Sequence, residues 1–192
     1  MRIETKRLIL REHVAADAAT MAAAWADPRY GRFRHDWADQ AAKARELVER
    51  FVDAQRAEPR LVWQLAIDDK ADGRHIGTCG VRVNDPERRE ANIGYEIDAD
   101  RWGRGYATEA ATAILRYGFA DLGMHRIWAE CVADNAASAR IMEKLGMRQE
   151  ARFREHQHFK GHWWDTLIYA ILDREWLAIE AGRSAKTRPT AD

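Results

Sequence analysis

Arg101-Trp102-Gly103-Arg104-Gly105-Tyr106-Ala107-Thr108-Glu109-Ala110 is the stretch that decides how this 192-residue chain is read. It follows an apolar, strand-like run, Ile93 to Ile97, and opens an apolar pattern that predicts a helix over Gly105 to Ala120. A strand, a glycine turn and a helix together form a seat for an anion. The first N–H groups of a helix have no partner inside it, and the helix dipole places partial positive charge at the same end. Gly103 and Gly105 permit a sharp bend and close approach of a ligand to the main chain. Arg101 and Arg104 add cationic side chains there. The sequence has no G-x-x-x-x-G-K-[ST], and the three-glycine dinucleotide pattern is incomplete.

Outward from this stretch, composition bounds the function. The length suits one domain, expected over residues 1–182, with a polar tail at 183–192. Lys plus Arg and Asp plus Glu are equal at 31 each, which argues against bulk attraction to nucleic acid or an anionic membrane. Cys79 and Cys131 sit in apolar strand context and read as buried thiols of a reducing compartment. Arg2, Glu4, Lys6 and Arg7 interrupt any signal-peptide core, and no apolar run reaches membrane-spanning length, so a cytoplasmic protein is expected.

In chain order, Arg7 to Glu12 predicts a strand, Asp17 to Trp25 an alanine-rich helix, and Ala41 to Ala57 an amphipathic helix with Ala44, Leu47, Val48 and Phe51 on one side. Leu61 to Ile67, His75 to Val83 and Ala91 to Ile97 predict an antiparallel meander through the turns at Asp72-Gly73 and Asn84-Asp85-Pro86. Arg126 to Val132 follows the central helix as a strand, and a strand–helix–strand unit implies a parallel pair. Asp134-Asn135 caps a helix to Leu145 that Gly146 stops. Met147 to Phe153 and Trp163 to Leu172 predict a hairpin through Lys160-Gly161, and Asp173 to Ala181 a last helix. The basic and aromatic stretch Arg29 to Asp39 is either an acceptor-binding wall or a loop anchored into the core; composition alone does not separate them, and the second is favoured because loops commonly carry such anchors.

The turn resembles the acetyl-CoA pyrophosphate loop of the GNAT N-acetyltransferases, [Q/R]-x-x-G-x-[G/A], with Gly105 and Ala107 at the small-residue positions and Trp102 where Gln or Arg is usual. The W-G-x-G-Y-A-T-E-A run and the opening Ile3 to Arg11 are similar to the RimJ/RimL-type branch, which acetylates N-terminal amines of ribosomal proteins. A second stretch, Val132 to Met147, resembles the family's N-x-x-S-x-x-x-x-x-K-x-G-[FM] signature. The resemblance implies an α/β fold with a mixed, mostly antiparallel sheet of about seven strands and helices on both faces. It implies acetyl-CoA as co-substrate, no metal, and transfer of acetyl to a primary amine on a protein N-terminus or small molecule, with a homodimer as a common family assembly.

Carried onto this chain, the resemblance assigns the pyrophosphate to the amides around Trp102, Gly103, Arg104, Gly105, Tyr106, Ala107 and Thr108. It places the pantetheine arm on a bulged strand at Tyr95-Glu96-Ile97, and sets Asn135 and Ser138 beside the sulfur. Glu96 alternates with Tyr95 and Ile97, which suits a base reaching a cleft; an ion-paired carboxylate is the alternative. Many family members use a tyrosine acid where Met142 stands, while the RimJ/RimL branch uses a serine that Ser138 matches; capping from the helix's first turn would also explain Ser138. Gln157 stands where that branch has an acidic residue, so a CoA-binding module without turnover is the competing reading. His156, His158 and His162 lack a completing ligand and read as solvated or stacking side chains. Trp163-Trp164 reads as strand packing and Asp165 as an ion-pair partner or a cleft residue.

Overall fold

Alternating apolar residues close into one mixed sheet because each strand has a face to hide. The computed structural model describes residues 1–186. Its strands are β1 (Arg2–Glu4), β2 (Leu8–Glu12), β3 (Val62–Asp69), β4 (His75–Asp85), β5 (Glu90–Ile97), β6 (Arg126–Val132), β7 (Arg148–Phe159) and β8 (His162–Leu172). The helices are α1 (Asp17–Trp25), α2 (Gln40–Ala54), α3 (Tyr106–Ala120), α4 (Ala136–Lys144) and α5 (Asp173–Lys186), with short 3₁₀ turns at Tyr30–Phe33 and Ala99–Arg101. The sheet order is β1-β2-β3-β4-β5-β6-β8-β7. Only β5 and β6 run parallel, and they are joined across α3.

The larger core lies on the α3 face. Leu8, Leu10, Leu65, Ile67, Cys79, Val81, Ile93 and Ile127 from the strands meet Ala110, Ala111, Ile114 and Leu115 of α3. The small residues of α3 let it lie close on the sheet, and burial of this apolar surface is the main stabilising term. Trp176 of α5 stacks on Phe119 of α3, so α5 shares that face. On the other face α1 and α2 bury Met21, Trp25, Ala44 and Val48 against each other. Asp39 caps α2 by accepting from the Ala42 amide at 2.8 Å. Cys79 and Cys131 are buried and unbridged.

The structure departs from the sequence expectations in several places. Among the described residues eight strands form rather than about seven: the opening residues fold back as β1, with Ile3 opposite Leu10. The last helix runs through Gly182 to Lys186, past the end expected at Ala181, and the remainder of the expected tail lies outside the described residues. Strand β7 continues to Phe159, with register shifts between Gln149 and Ala151 and between Phe153 and Gln157.

Candidate active site

At the bend between β5 and α3, Gly103 (φ 73°) and Gly105 (φ 78°) both adopt the left-handed conformation. That geometry costs a side-chain-bearing residue about 1–2 kcal/mol and is open to glycine. Among the described residues, the backbone N–H groups of 103 to 108 donate to no protein acceptor, while Glu109 N–H is the first to bond back, to Gly105 O at 3.0 Å. Residues 103–105 are exposed. The result is a concave run of free amides at a helix N-terminus.

Contacts distant in sequence hold this bend. Glu109 receives the Thr5 hydroxyl at 2.6 Å and both the amide and Nε of Arg7, at 2.8 and 2.6 Å. Arg7 Nη1 donates to Arg104 O at 2.8 Å, and its guanidinium lies 4.3 Å from the Tyr106 ring centre. Arg7 was not singled out from sequence. Arg101, expected as free positive charge, is tied down: it pairs with Asp69 at 3.2 Å and with Asp72. Tyr106 also bonds Asp69, at 2.9 Å, so its side chain anchors α3 rather than facing a ligand. Arg104 is exposed and remains the cation at the bend. A cavity of about 780 Å³ opens beside the turn, lined by Lys6, Gly105, Thr108, Thr112, Arg116 and Lys144 among others.

The strand edge beside the loop is open, for a reason other than the one expected. No bulge interrupts β5 there: Gly77 to Val81 pair continuously with Ile97 to Ile93. Instead β5 and β6 pair only through Glu90–Asn92 and Arg126–Trp128, then splay apart. Asp98 N–H donates to Ile76 O of β4. Backbone alternation therefore turns the N–H and C=O of Ile97 and Tyr95 away from β4 and into the splay. Trp102 Nε1 takes the Ile97 carbonyl at 2.6 Å and its ring stacks on Tyr30.

The two faces of β5 carry different chemistry. Glu96, on the α1 side and 36% exposed, accepts from Tyr30 Oη at 3.0 Å and from Trp25 Nε1 and Arg34 Nη1 at 3.4 Å each. Burial first, and then the Glu96 carboxylate, raise the Tyr30 pKa well above its usual value, so the phenol stays a donor. Thus Tyr30 and Arg34 of the aromatic loop both anchor that loop and build the wall around Glu96. Thr20, Met21, Thr78 and Asp98 complete a small cleft there. Burial raises the pKa of Asp98, a second carboxylate that its turn-like context had hidden.

On the α3 side, Tyr95 Oη lies 3.1 Å from Ser138 Oγ and donates to Ser138 O at 3.2 Å. Burial raises the Tyr95 pKa and holds the Cys131 thiol at about 11. The cap of α4 is Asn135, whose Oδ1 accepts from Ser138 N–H at 3.1 Å. The Asn135 N–H that an N3 side chain would cap goes instead to Val132 O at 2.9 Å, and Ser138 Oγ faces Tyr95 Oη. Met142 is fully buried in the core, so α4 offers no phenol there. Ala107 and Thr108 line the first turn of α3, half-buried.

The remaining candidates have local duties. Gln157 Nε2 donates to Thr166 Oγ1 at 3.0 Å, and His156 Nδ1 lies 3.1 Å from the same hydroxyl. His158 and His162 pack on Trp163 and Trp164. Trp164 stacks on Phe159 as strand packing, but Trp163 is 55% exposed. Asp165 accepts from Arg152 at 2.7 Å and from the Glu155 amide at 2.9 Å, holding the irregular part of β7.

The fold is shared with known proteins. The Acetyltransferase (GNAT) domain family matches residues 7–148. The chain is a GNAT acetyltransferase. Like it in sequence is the uncharacterized N-acetyltransferase YnaD of Bacillus subtilis, 32% identical over 184 residues, 92% of this chain and 99% of that one. A shorter match, 30% over 84 residues, 44% of this chain and 43% of the relative, is to the [ribosomal protein uS5]-alanine N-acetyltransferase of Escherichia coli. The crystal structure of a GNAT-family acetyltransferase from Bacillus anthracis superposes with a TM-score of 0.77 at 27% identity, covering 91% of this GNAT chain and 99% of that one.

Proposed function

We propose that this enzyme transfers the acetyl group of acetyl-CoA to a primary amine by direct attack of the amine on the thioester. The observation that carries the reading is the splay: free amides at one end, open strand edges within it, and Glu96 and Ser138 on its opposite faces. Bound acetyl-CoA supplies an acetyl group already activated as a thioester.

Each residue then has a duty. The amides of 103 to 108 and the Arg104 side chain would hold the diphosphate. The outward N–H and C=O groups of Tyr95 would hold the pantetheine arm, and the Ile97 N–H would stabilise developing charge on the thioester oxygen. Glu96 would take the proton from the acceptor ammonium, and Ser138, fixed by Tyr95 and the Asn135 cap, would give a proton to the departing thiolate. The acceptor is an amine on a protein N-terminus or a small molecule. Calorimetric titration with acetyl-CoA, followed by a panel of amines and peptides scored by free-thiol release, tests the reading. Micromolar binding with release of thiol is expected; no binding at high micromolar acetyl-CoA overturns it.

A further inference from the structure

The face of the sheet that carries Glu96 also carries a cation that, among the described residues, has no ion-pair partner. In the register of β4 and β5, Thr78 faces Glu96, Gly80 faces Gly94, and Arg82 faces Asn92, so these side chains share the α1–α2 face. Arg82 is half-buried. Its Nη2 donates to Gln64 Oε1 at 2.6 Å, and among the described residues no carboxylate lies within ion-pair distance of it. Gly94 makes room for this guanidinium: a Cβ built there would fall 3.2 Å from Arg82 Nη1. The Glu96 carboxylate is near enough to act on Arg82 through space, but its hydrogen bonds go to Tyr30, Trp25 and Arg34. Beside Arg82, Asn92 Oδ1 is buried and has no hydrogen-bond partner among the described residues.

Each of these is costly for an apo protein. A guanidinium withdrawn from water without a counter-ion forfeits solvation, and burial accordingly pulls the Arg82 pKa down, with Arg50 adding repulsion. A buried amide oxygen without a donor is similarly disfavoured. Both deficits lie on the face where the acceptor must meet Glu96, and both are relieved by one molecule that brings an anion and an N–H group.

We infer that Arg82 sets acceptor specificity: it pairs with a carboxylate carried by the amine substrate, while Asn92 Oδ1 accepts an N–H of the same molecule. This rests on the acetyl-transfer reading above and narrows it. The substrate class is an amine that bears a carboxylate, such as an amino acid or a peptide with an acidic residue near its N-terminus. Polyamines are disfavoured, because Arg34, Arg50 and Arg82 would face their added positive charge.

The test compares matched acceptors under saturating acetyl-CoA: amino acids against their carboxamides, and peptides beginning with Asp or Glu against those beginning with Asn or Gln. In at least one arm, wild-type kcat/KM should favour the carboxylate by about tenfold or more. Arg82→Gln should erase that ratio, mainly through KM for the carboxylated acceptor, and Arg82→Lys should retain part of it. Melting temperature and acetyl-CoA affinity of each variant report that it is folded. Equal use of both members in both arms, or a preference that survives Arg82→Gln, overturns the inference while leaving acetyl transfer standing. Failure of the wild type to bind acetyl-CoA overturns acetyl transfer, and this inference with it.

Discussion

Gly105→Ala puts the anion seat to a quantitative test. Gly105 has φ 78°, and a Cβ there meets only Arg7 Nη2, at 3.5 Å, an ordinary contact. Steric clash is therefore minor, and the cost is the left-handed backbone itself, about 1–2 kcal/mol for alanine. The chain can bear that cost in two ways. If the bend keeps its shape, the penalty falls on stability and lowers Tm by roughly 2–4 °C per kcal/mol in a domain of this size. If the bend relaxes to negative φ, the amides of 103 to 108 swing out of alignment and the penalty falls on binding. Since about 1.4 kcal/mol is a factor of ten, acetyl-CoA affinity should then drop about tenfold or more. Gly123 is the control: its φ is 65°, nothing lies within 4 Å of its Cβ position, and it sits at the far end of α3. Gly123→Ala should lower Tm alone. Isothermal calorimetry with acetyl-CoA and thermal melts on both variants separate the cases. If Gly105→Ala kept both the wild-type Tm and the wild-type affinity, the left-handed backbone would carry no strain cost and the expectation would fail. If Gly105→Asp, adding charge at the same point, also bound as wild type, the diphosphate would have to lie elsewhere.

Other expectations follow from single contacts. Glu96→Gln should keep acetyl-CoA affinity and lower kcat by about 10²–10⁴, as for loss of a general base, measured by thiol release. Ser138→Ala should lower kcat with little loss of stability because the cap belongs to Asn135, whereas Asn135→Ala should cost about 1 kcal/mol in denaturant melts. Asp17 is buried, yet bonds from His13, Arg11 and Val14 outweigh that burial and hold its carboxyl far below the usual range. A depressed carboxyl contributes stability above its unfolded pKa, near 4, that is lost as pH falls toward its folded value. Asp17→Asn should therefore cost about 3–5 kcal/mol at pH 7 and flatten the acid limb of the stability profile below about pH 4. An unchanged acid limb would show that other carboxylates govern it.

Local signals account for what could be read from the sequence. The glycine bend, the apolar periods of α1, α2 and α3, the Asp72-Gly73 turn and the Lys160-Gly161 hairpin all lie within a few residues of their causes. Strand β1 escaped because three residues with one half-buried side chain carry no usable alternation. The end of α5 escaped because Gly182 and a polar run look like a tail. At the site, the residue types at Glu96, Asn135 and Ser138 were legible, but their partners were not. Glu109 meets Thr5 and Arg7 across more than 100 positions of sequence, and Arg101 looked like a free cation until Asp69 and Asp72 came to it. A cation with no ion-pair partner among the described residues, as at Arg82, has no sequence signal at all.

The splay gives these separate features one purpose. A continuous sheet would present Glu96 and Ser138 on opposite faces with a wall of hydrogen-bonded backbone between them. Parting β5 from β6 after Asn92 removes that wall at the level of Tyr95 to Ile97 and leaves unpaired N–H groups pointing into the gap. In the proposed transfer, this opening would let the amine approach the thioester carbonyl from one side while the thiolate leaves toward another. Under the proposed function, the α1–α2 face would sort the acceptor by charge, and the amides at the head of α3 would hold the diphosphate. Trp102 spans the two, with its indole N–H on Ile97 O and its ring on Tyr30, the donor to Glu96. The glycine bend and the wall around Glu96 are thereby tied to one another by a single side chain at the head of the bend.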